Sequence, residues 1–150
     1  MVIRDLTRQR CEALLARTSL GRLACTRDGQ PYIVPILFSF DPSTRHLYCF
    51  STVGQKIQWM RKNPRVCVEV DEIVDQYHWM TVLVTGRYEE LRDSDGNAAI
   101  RQRAQELFQE RDTFWFPGAG KLAGREEHAT HVFYRIHVDK ISGREAARAT

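Results

Sequence analysis

The longest β-forming run in this sequence contains two prolines. It extends from Gln30 to Phe40 and is rich in aromatic and β-branched residues, with Pro31 and Pro35 inside it. Proline has no N–H to donate to a neighbouring strand, so it is confined to strand edges, first positions and bulges. Pro35 therefore predicts a bulge, a free edge, or a stretch that faces something other than another strand.

Five further segments have strand character, because they alternate apolar and polar residues or are rich in β-formers. They are Arg22–Thr26, His46–Ser51, Val66–Asp71, His78–Arg92 and Val132–Ile141. Asp28-Gly29 is a strong hairpin signal between the first strand and the run from Gln30. Gly86 predicts a bulge in its strand. The tail from Arg144 is expected to fray.

Three helices are predicted between these strands. The first begins near Thr7, which can cap it. The second covers Gly54–Lys62 and stops at Asn63-Pro64. The third covers Ala98–Arg111, where apolar residues recur on one face.

The order of the elements is helix, three strands, helix, two strands, helix, strand. It lacks the βαβ rhythm of a parallel sheet. Strands joined by short turns, with helices at the ends, are typical of a small antiparallel barrel. We therefore predict a mainly β (α+β) fold of six antiparallel strands with short flanking helices, forming one domain over residues 1–150.

Composition argues against several classes of partner. The net charge is +3, but the 22 Lys and Arg are scattered without a basic run, so nucleic acid is not expected. No window has the 18 or more apolar residues of a membrane span, and the first residues do not resemble a signal peptide. The four cysteines form no C-x-x-C pair, so neither zinc nor a redox dithiol is expected. Reduced cysteines predict a cytoplasmic protein.

The segment from Leu47 to Lys56 is the most informative for function. A strand leads into Ser51 and Thr52, then into a glycine and the first turn of a helix. Free N–H groups at a helix start attract anions, and the two hydroxyls can add donors. Lys56 in the first turn opposes the helix dipole, at a cost of roughly 0.3–1 kcal/mol, which a bound phosphate would reverse. The alternative is a plain helix cap with a solvated lysine.

The stretch from Gly21 to Leu91 resembles the FMN-binding split barrel of the pyridoxamine 5′-phosphate oxidase-like superfamily. The order and spacing of several short motifs carry the resemblance: Gly21-Arg22-Leu23-Ala24, Asp28-Gly29-Gln30-Pro31, Val34-Pro35-Ile36, Leu47-Tyr48, Gly54-Gln55-Lys56, Asn63-Pro64-Arg65-Val66 and Val82-x-Val84-x-Gly86-Arg87. The ending, Tyr134-Arg135-Ile136 to Ile141-Ser142-Gly143-Arg144, is also similar to small bacterial members.

The resemblance implies a six-stranded antiparallel split β-barrel and a homodimer with FMN at its interface. It implies that the strand around Pro35 follows the isoalloxazine ring, that the turn before the second helix holds the phosphate, and that Thr81 approaches the flavin from another strand. The cofactor-binding residues expected on this basis are Ile33, Val34, Pro35, Ile36, Leu37, Phe50, Ser51, Thr52, Gln55, Lys56, Trp79 and Thr81.

Departures from the family pattern bear on the activity. Pyridoxamine phosphate oxidases proper carry a longer C-terminal region with an Arg-Leu element, which this chain lacks, so that activity is not expected. The nitroimidazole-reductase branch has a histidine where this chain has Phe50-Ser51. We predict an FMN-dependent oxidoreductase acting on a small molecule, without an identifiable catalytic side chain. The alternatives are a non-catalytic flavin carrier or sensor, or a deazaflavin (F420)- or haem-binding barrel.

Three other groups of residues bear on the function. His131 and His137 lie six residues apart on one strand, about 20 Å, too far to share a metal ion. The neighbouring Glu89 and Glu90 are interpreted as an exposed face. The aromatic loop Phe114–Gly118 packs either against the barrel and its dimer partner or over a ligand, which makes its members Trp115 and Phe116 candidates for a substrate pocket.

Overall fold

The computed structural model describes residues 1–110 and 130–149. The helices are α1 (Arg8–Arg17), α2 (Gln55–Lys62) and α3 (Ala98–Gln109). The strands are β1 (Val2–Asp5), β2 (Leu20–Arg27), β3 (Gln30–Asp41), β4 (His46–Thr52), β5 (Arg65–Asp75), β6 (His78–Glu90) and β7 (His131–Ala147). All six predicted strands and all three predicted helices are present, and β1 is an additional strand.

Six of the strands form a closed ring. The order in the sheet is β7-β4-β3-β2-β5-β6, and β6 also pairs with β7, which closes the ring. Every pairing is antiparallel. The predicted six-stranded antiparallel fold is therefore confirmed. In this ring β3 and β6 are opposite each other, because two strands separate them in either direction.

Local sequence signals explain the connections that the ring requires. Asp28 and Gly29 have φ values of 50° and 78°, so the β2–β3 hairpin turns through two left-handed residues, as Asp-Gly turns do. Thr7 caps α1 through a bond from the Arg10 amide at 3.4 Å. Helix α2 ends at Asn63, immediately before a proline, as predicted.

Apolar side chains fill the inside of the ring at every second position of its strands. On β5, for example, Val66, Val68 and Val70 are buried, whereas Cys67 and Glu69 are partly exposed. Ile57 and Met60 of α2 are fully buried in the same core. Helix α3 covers a second cluster on the outer face of β4 and β7, which consists of Tyr48, Phe50, Leu91, Ile100, Ala104, Leu107, Phe108 and Phe133.

The two ends of the chain form a strand pair that the sequence did not predict. Strand β7 continues to Ala147, and its residues Arg144–Ala147 pair with β1. The expected fraying from Arg144 is therefore wrong. The reason is tertiary: Ala146 is buried between β1 and β6, where it faces Ile3 and Trp79.

Strand β3 has a paired edge and an open edge, which explains its prolines. Its first half pairs with β2, from Gln30↔Arg27 to Leu37↔Leu20, but it pairs with β4 only from Phe38 onward. The Phe38 amide donates to the Ser19 carbonyl at 2.9 Å, so even-numbered positions direct their backbone groups toward β2. Pro31 and Pro35 are odd-numbered. Their missing N–H groups would face the open edge, so the ladder loses nothing.

The predicted irregularity at Gly86 is also present. The register between β6 and β7 shifts between Thr85 and Gly86, and the extra residue is Asp139 on β7. Gly86 lies against the backbone of β7 at this place. The position predicted from Gly86 is therefore correct, whereas the bulged residue itself belongs to the neighbouring strand β7.

No helix in the described ranges is long and apolar enough to cross a membrane. The predicted aromatic loop from Phe114 to Gly118 lies outside the described residues.

Candidate functional site

The end of β4 and the start of α2 lie beside the open edge of β3. The register Phe38↔Cys49 is the last pair between β3 and β4 on this side. Continued one step at a time, it would place Ile36 opposite Ser51, but no pairing is formed there between the two strands. The strands diverge at the point where the chain passes from Thr52 into α2. This opening, bordered by residues 31–37 and 51–56, is called the split below.

Lys56 is the cation of the split. It is half-buried, and burial lowers the pKa of its ammonium group, with the nearby Cys49 and Cys25 opposing that shift. No carboxylate of the described chain lies within ion-pair distance of it. A buried ammonium without a counter-ion is unfavourable, so this position is electrostatically prepared for an anion.

The helix that carries Lys56 begins without a cap. Gly54 precedes it, none of the side chains in the described ranges caps its start, and its first turn contains no acidic residue. The first α-helical bond is donated by the Gln58 amide to the Gly54 carbonyl at 3.1 Å. The amides of Gln55, Lys56 and Ile57 therefore precede the helical ladder and are free to meet an anion.

The two predicted hydroxyl donors differ in their surroundings. Ser51 points into the ring, is 8% exposed, and donates its hydroxyl to the Thr52 carbonyl at 3.0 Å. Thr52 is half-buried and points outward. The Val53 amide is already bonded to the Thr130 carbonyl at 2.9 Å. Thr52 is thus the better placed donor, whereas Ser51 must give up an existing bond.

Phe50 lies on the opposite face of β4 from Ser51. Its ring meets the Phe133 ring edge-on, with centroids 3.9 Å apart, and contacts the Phe108 ring at 6.4 Å. It is therefore part of the cluster beneath α3. Only its backbone borders the split, so its predicted contact with a cofactor would be through main-chain atoms.

The predicted residues of β3 divide between two environments. Val34 and Ile36 point toward the core, where Ile36 is buried. Ile33 and Pro35 project outward and are exposed, and Leu37 is half-buried. By the alternation described above, the open edge offers the N–H groups of Ile33 and Leu37, together with the carbonyls of the odd-numbered residues.

Trp79 and Thr81 are not brought to the split of their own chain. They lie on β6, where Thr81 pairs with Asp71 and with Arg144. Because β6 is opposite β3 in the ring, three interstrand spacings of about 4.8 Å separate the two strands along the sheet. The other two candidates, Trp115 and Phe116, lie outside the described residues.

The sequence did not predict a series of hydrogen-bonded polar side chains that links three strands. His46 on β4 pairs with His137 on β7, and their Nε2 and Nδ1 atoms are 2.8 Å apart. The other ring nitrogen of His137 bonds to the carboxylate of Glu89 on β6. Arg135 also bonds to Glu89, at 2.7 Å, and holds the pKa of that carboxyl below its ordinary value.

The interpretation of Glu89 and Glu90 as an exposed face is wrong for Glu90 and holds in part for Glu89, whose side chain is 37% exposed. The two carboxylates point to opposite sides of β6. Glu90 is half-buried and makes two bonds to Arg61, at 2.7 and 2.8 Å. The fold explains the difference, because Arg61, which is 29 residues away in the sequence, bonds to Glu90. In the described part of the chain, no three His, Cys, Asp or Glu side chains are arranged to hold a metal ion.

Comparison with known proteins gives the family. The model for the family described as pyridoxamine 5′-phosphate oxidase matches residues 7–145. The chain belongs to this family. An uncharacterized family relative from Rhizobium meliloti (strain 1021) is 40% identical over 148 residues, which cover 97% of both chains.

Solved structures agree with this assignment. An FAD-binding protein from Mesorhizobium loti is 43% identical, with a TM-score of 0.80 over 98% of this chain and all of the other. An FAD-binding protein from Mycobacterium smegmatis has the same fold as this chain. The two are 23% identical, with a TM-score of 0.69 over 97% of this chain and all of the other.

Proposed function

We propose that this protein binds a flavin nucleotide in the split and uses it, as a homodimer, to reduce or oxidise a small molecule. The phosphate would lie at the start of α2, and the isoalloxazine ring along the open edge of β3. The observation that carries the proposal is the half-buried ammonium group of Lys56, which has no carboxylate partner among the described residues and lies next to the uncapped first turn of α2.

A flavin phosphate matches this end of the split in charge and in hydrogen bonding. Its oxygens accept hydrogen bonds, and the free amides of Gln55–Ile57 and the Lys56 ammonium are donors. The Thr52 hydroxyl is a further donor within the same turn. The phosphate would thereby supply the counter-ion that Lys56 lacks among the described residues.

The open edge of β3 is suited to the pyrimidine part of the flavin ring. That part has carbonyl acceptors and one N–H donor, and the edge offers N–H groups of Ile33 and Leu37 together with carbonyls. A planar ring lying there would satisfy backbone groups that β4 leaves unpaired over this stretch. The two prolines keep further N–H groups out of this edge.

A homodimer would complete the site. The outer face formed by β3, β2, β5 and β6 exposes large apolar side chains: Leu20 is 49%, Ile33 66% and Leu83 42% exposed. A two-fold pairing is the commonest way to bury such a surface. It would also bring Trp79 and Thr81 of the partner subunit to the split, which their own chain cannot do.

FMN is the form of flavin for which the described residues account. FAD contains the same FMN portion, and the Mesorhizobium loti relative is described as an FAD-binding protein, so FAD is the alternative. The four cysteines carry no disulfide, which fits a reducing compartment, and we propose the cytoplasm.

Bound flavin would supply the redox chemistry, namely the acceptance and donation of electrons. The protein's own residues would bind the phosphate, hold the ring against β3 and restrict access of water. None of the described side chains forms a nucleophile–base pair at the split, and flavin chemistry does not require one. A flavin carrier without turnover uses the same contacts.

The absorbance spectrum of the purified protein tests the proposal. We expect flavin bands, release of one flavin per chain on denaturation, and identification of FMN or FAD by chromatography. Anaerobic addition of NADH or NADPH should bleach the bands if the protein is an oxidoreductase, whereas a carrier would stay yellow. A colourless protein that takes up neither FMN nor FAD at micromolar concentration would contradict flavin binding.

A further inference from the structure

The hydrogen-bonded series Glu89, His137 and His46 is separate from the split. Its partners determine which ring nitrogens carry hydrogens. Glu89 is a carboxylate that also accepts from Arg135, so it can only accept from His137. His137 therefore carries a hydrogen on Nε2, and a neutral His137 accepts on Nδ1. The hydrogen between the two rings then belongs to His46 Nε2, which leaves His46 Nδ1 as a bare acceptor.

His46 Nδ1 has no hydrogen-bond partner among residues 1–110 and 130–149, and it is buried there. It is one of three buried side-chain atoms in the described structure without a hydrogen-bond partner, together with Ser39 Oγ and Arg45 Nε. The His46 and His137 rings meet edge-on, with centroids 4.3 Å apart, and His46 also contacts the Tyr48 ring at 5.9 Å. Tyr48 belongs to the cluster on which α3 packs.

A third proton on the two rings cannot be accommodated without a cost. His137 Nε2 and the position between the rings are already filled. Whichever ring carries the charge, keeping the bond between them puts the additional hydrogen on His46 Nδ1, where no acceptor lies within reach. The pair must then bury an unsatisfied N–H group or separate.

We propose that His46, His137 and Glu89 form an acid-sensitive clasp that holds the outer faces of β4, β7 and β6 together, and that a third ring proton opens it. When the clasp opens, His46 turns toward solvent and away from Tyr48, and the packing of α3 on the Tyr48 cluster is weakened. The inference is independent of flavin binding, because the clasp lies at the end of β4 remote from Ser51 and Thr52.

The charged groups around the two rings shift the pKa of His46 in both directions. Asp41 on β3, Glu89 on β6 and Arg135 on β7 act on His46 directly. The other titratable or charged groups on the neighbouring elements are Arg45 in the β3–β4 turn, Tyr48 on β4, Arg87 on β6 paired with Asp139 on β7, and Arg103 on α3 beside Asp41. Burial, with Arg135 and His137, lowers the pKa of His46 from 6.5 to about 4, against the opposing effect of Glu89 and Asp41.

The sign of the effect on stability follows. The unfolded chain binds a proton at His46 near pH 6.5, and the folded chain resists it until about pH 4. Stability from the clasp is therefore complete above pH 6.5 and declines as the pH falls toward 4, since the unfolded state then binds more protons.

Ring NMR of the wild-type protein and melting curves of variants test the clasp. We expect both histidines as Nε2–H tautomers at pH 7.5, with His46 titrating well below 6. Between pH 7 and 4.5, the midpoint of melting should fall by roughly 3–8 °C more in the wild type than in His46→Gln, whose amide donates to His137 without titrating. The matched control is His131→Gln, at an exposed histidine on β7 outside the clasp, which should keep the wild-type dependence.

Three results would overturn the inference. One is a His46 that titrates near 6.5 in the wild type, a measurement that needs no variant. Another is equal pH dependence in the wild type and His46→Gln. The third is a rise in melting temperature with added Zn²⁺ that His46→Gln abolishes, because the ring nitrogens would then be metal ligands.

Discussion

Gly86 on β6 lies directly against the backbone of His137 on β7. A Cβ atom at position 86 would come within 2.1 Å of the His137 carbonyl oxygen and 2.8 Å of Ile136 Cγ2. Both contacts are on the strand that closes the ring, so neither can move without disturbing the sheet.

Gly86→Ala should therefore destabilise the protein by about 1–3 kcal/mol, as other overpacked sites do. Urea unfolding followed by circular dichroism measures the change. The matched control is Gly54→Ala, where an added Cβ meets nothing within 4 Å and the expected loss is below about 1 kcal/mol. Equal losses in both variants would show that the close approach to β7 is not the cause.

Lys56→Ala should weaken FMN binding by roughly 10- to 150-fold, because a charge-assisted contact of about 1.5–3 kcal/mol is lost. Riboflavin, which lacks the phosphate, should bind as it does to the wild type. Lys56→Arg should restore part of the affinity, since it keeps the charge.

Flavin fluorescence titration measures these affinities. Lys62→Ala, at the exposed end of the same helix, is the control and should change neither ligand. Equal losses of FMN and riboflavin with Lys56→Ala would mean that Lys56 supports the fold or touches the ring instead of the phosphate.

The protein should sediment as a homodimer, at twice 17.4 kDa, at micromolar concentration. Leu83→Arg places a charge on the exposed outer face of β6 and should shift the protein to the monomer while its circular dichroism spectrum stays folded. Flavin affinity should fall with it, because Trp79 and Thr81 of the partner subunit would be removed from the split. Gln105→Arg, on the exposed side of α3, should leave the dimer intact. A wild-type monomer that binds flavin would refute this assembly.

Asp41→Asn should lose stability at neutral pH and little at acid pH. Burial raises the pKa of Asp41, but hydrogen bonds from Ser43, at 2.6 and 3.0 Å, and from Thr44 outweigh it, so the folded pKa is lowered. The stabilisation is complete above the unfolded value of about 3.9 and disappears as the pH falls through the folded one.

The expected loss at pH 7 is about 1–2 kcal/mol in urea unfolding, and it should shrink toward zero as the pH falls through the folded pKa of Asp41. Asp28→Asn, at a 93% exposed carboxylate, should show no such convergence because it has little to lose. A constant difference across the pH range would indicate that Asp41 acts through its shape and not through its charge.

The parts of this fold that the sequence predicted are those set by local signals. Pro35 predicted a bulge, a free edge or a stretch that faces something other than a strand, and the register supports the free edge, because it places the missing N–H at the open edge of β3. Asp28-Gly29 is also a local signal: it predicted the β2–β3 hairpin, and both residues take the positive φ that this turn requires. The order of short turns was sufficient for the antiparallel ring.

Long-range pairing explains what the sequence did not predict. His46 and His137 are 91 residues apart, and only the β4–β7 register brings their rings together. The β1–β7 pair depends in the same way on burial of Ala146, a residue with no strand signal of its own. The resemblance implies that Trp79 belongs to the site, and the ring order places it away from the split of its own chain, so in the proposed dimer it would come from the partner subunit.

The opposite positions of β3 and β6 have a genetic consequence. In the proposed dimer, the split of one copy and the β6 strand of the other together form a cleft. Each cleft takes Lys56 from one copy and Trp79 from the other. Two alleles, one lacking the lysine and one lacking the tryptophan, would each give a protein with no intact cleft. Expressed together, they should complement one another, because a mixed dimer has one cleft with both residues and one with neither. Selection on this protein would thus act on pairs of chains, and a recessive defect in one half of the cleft could be masked by a different defect in the other.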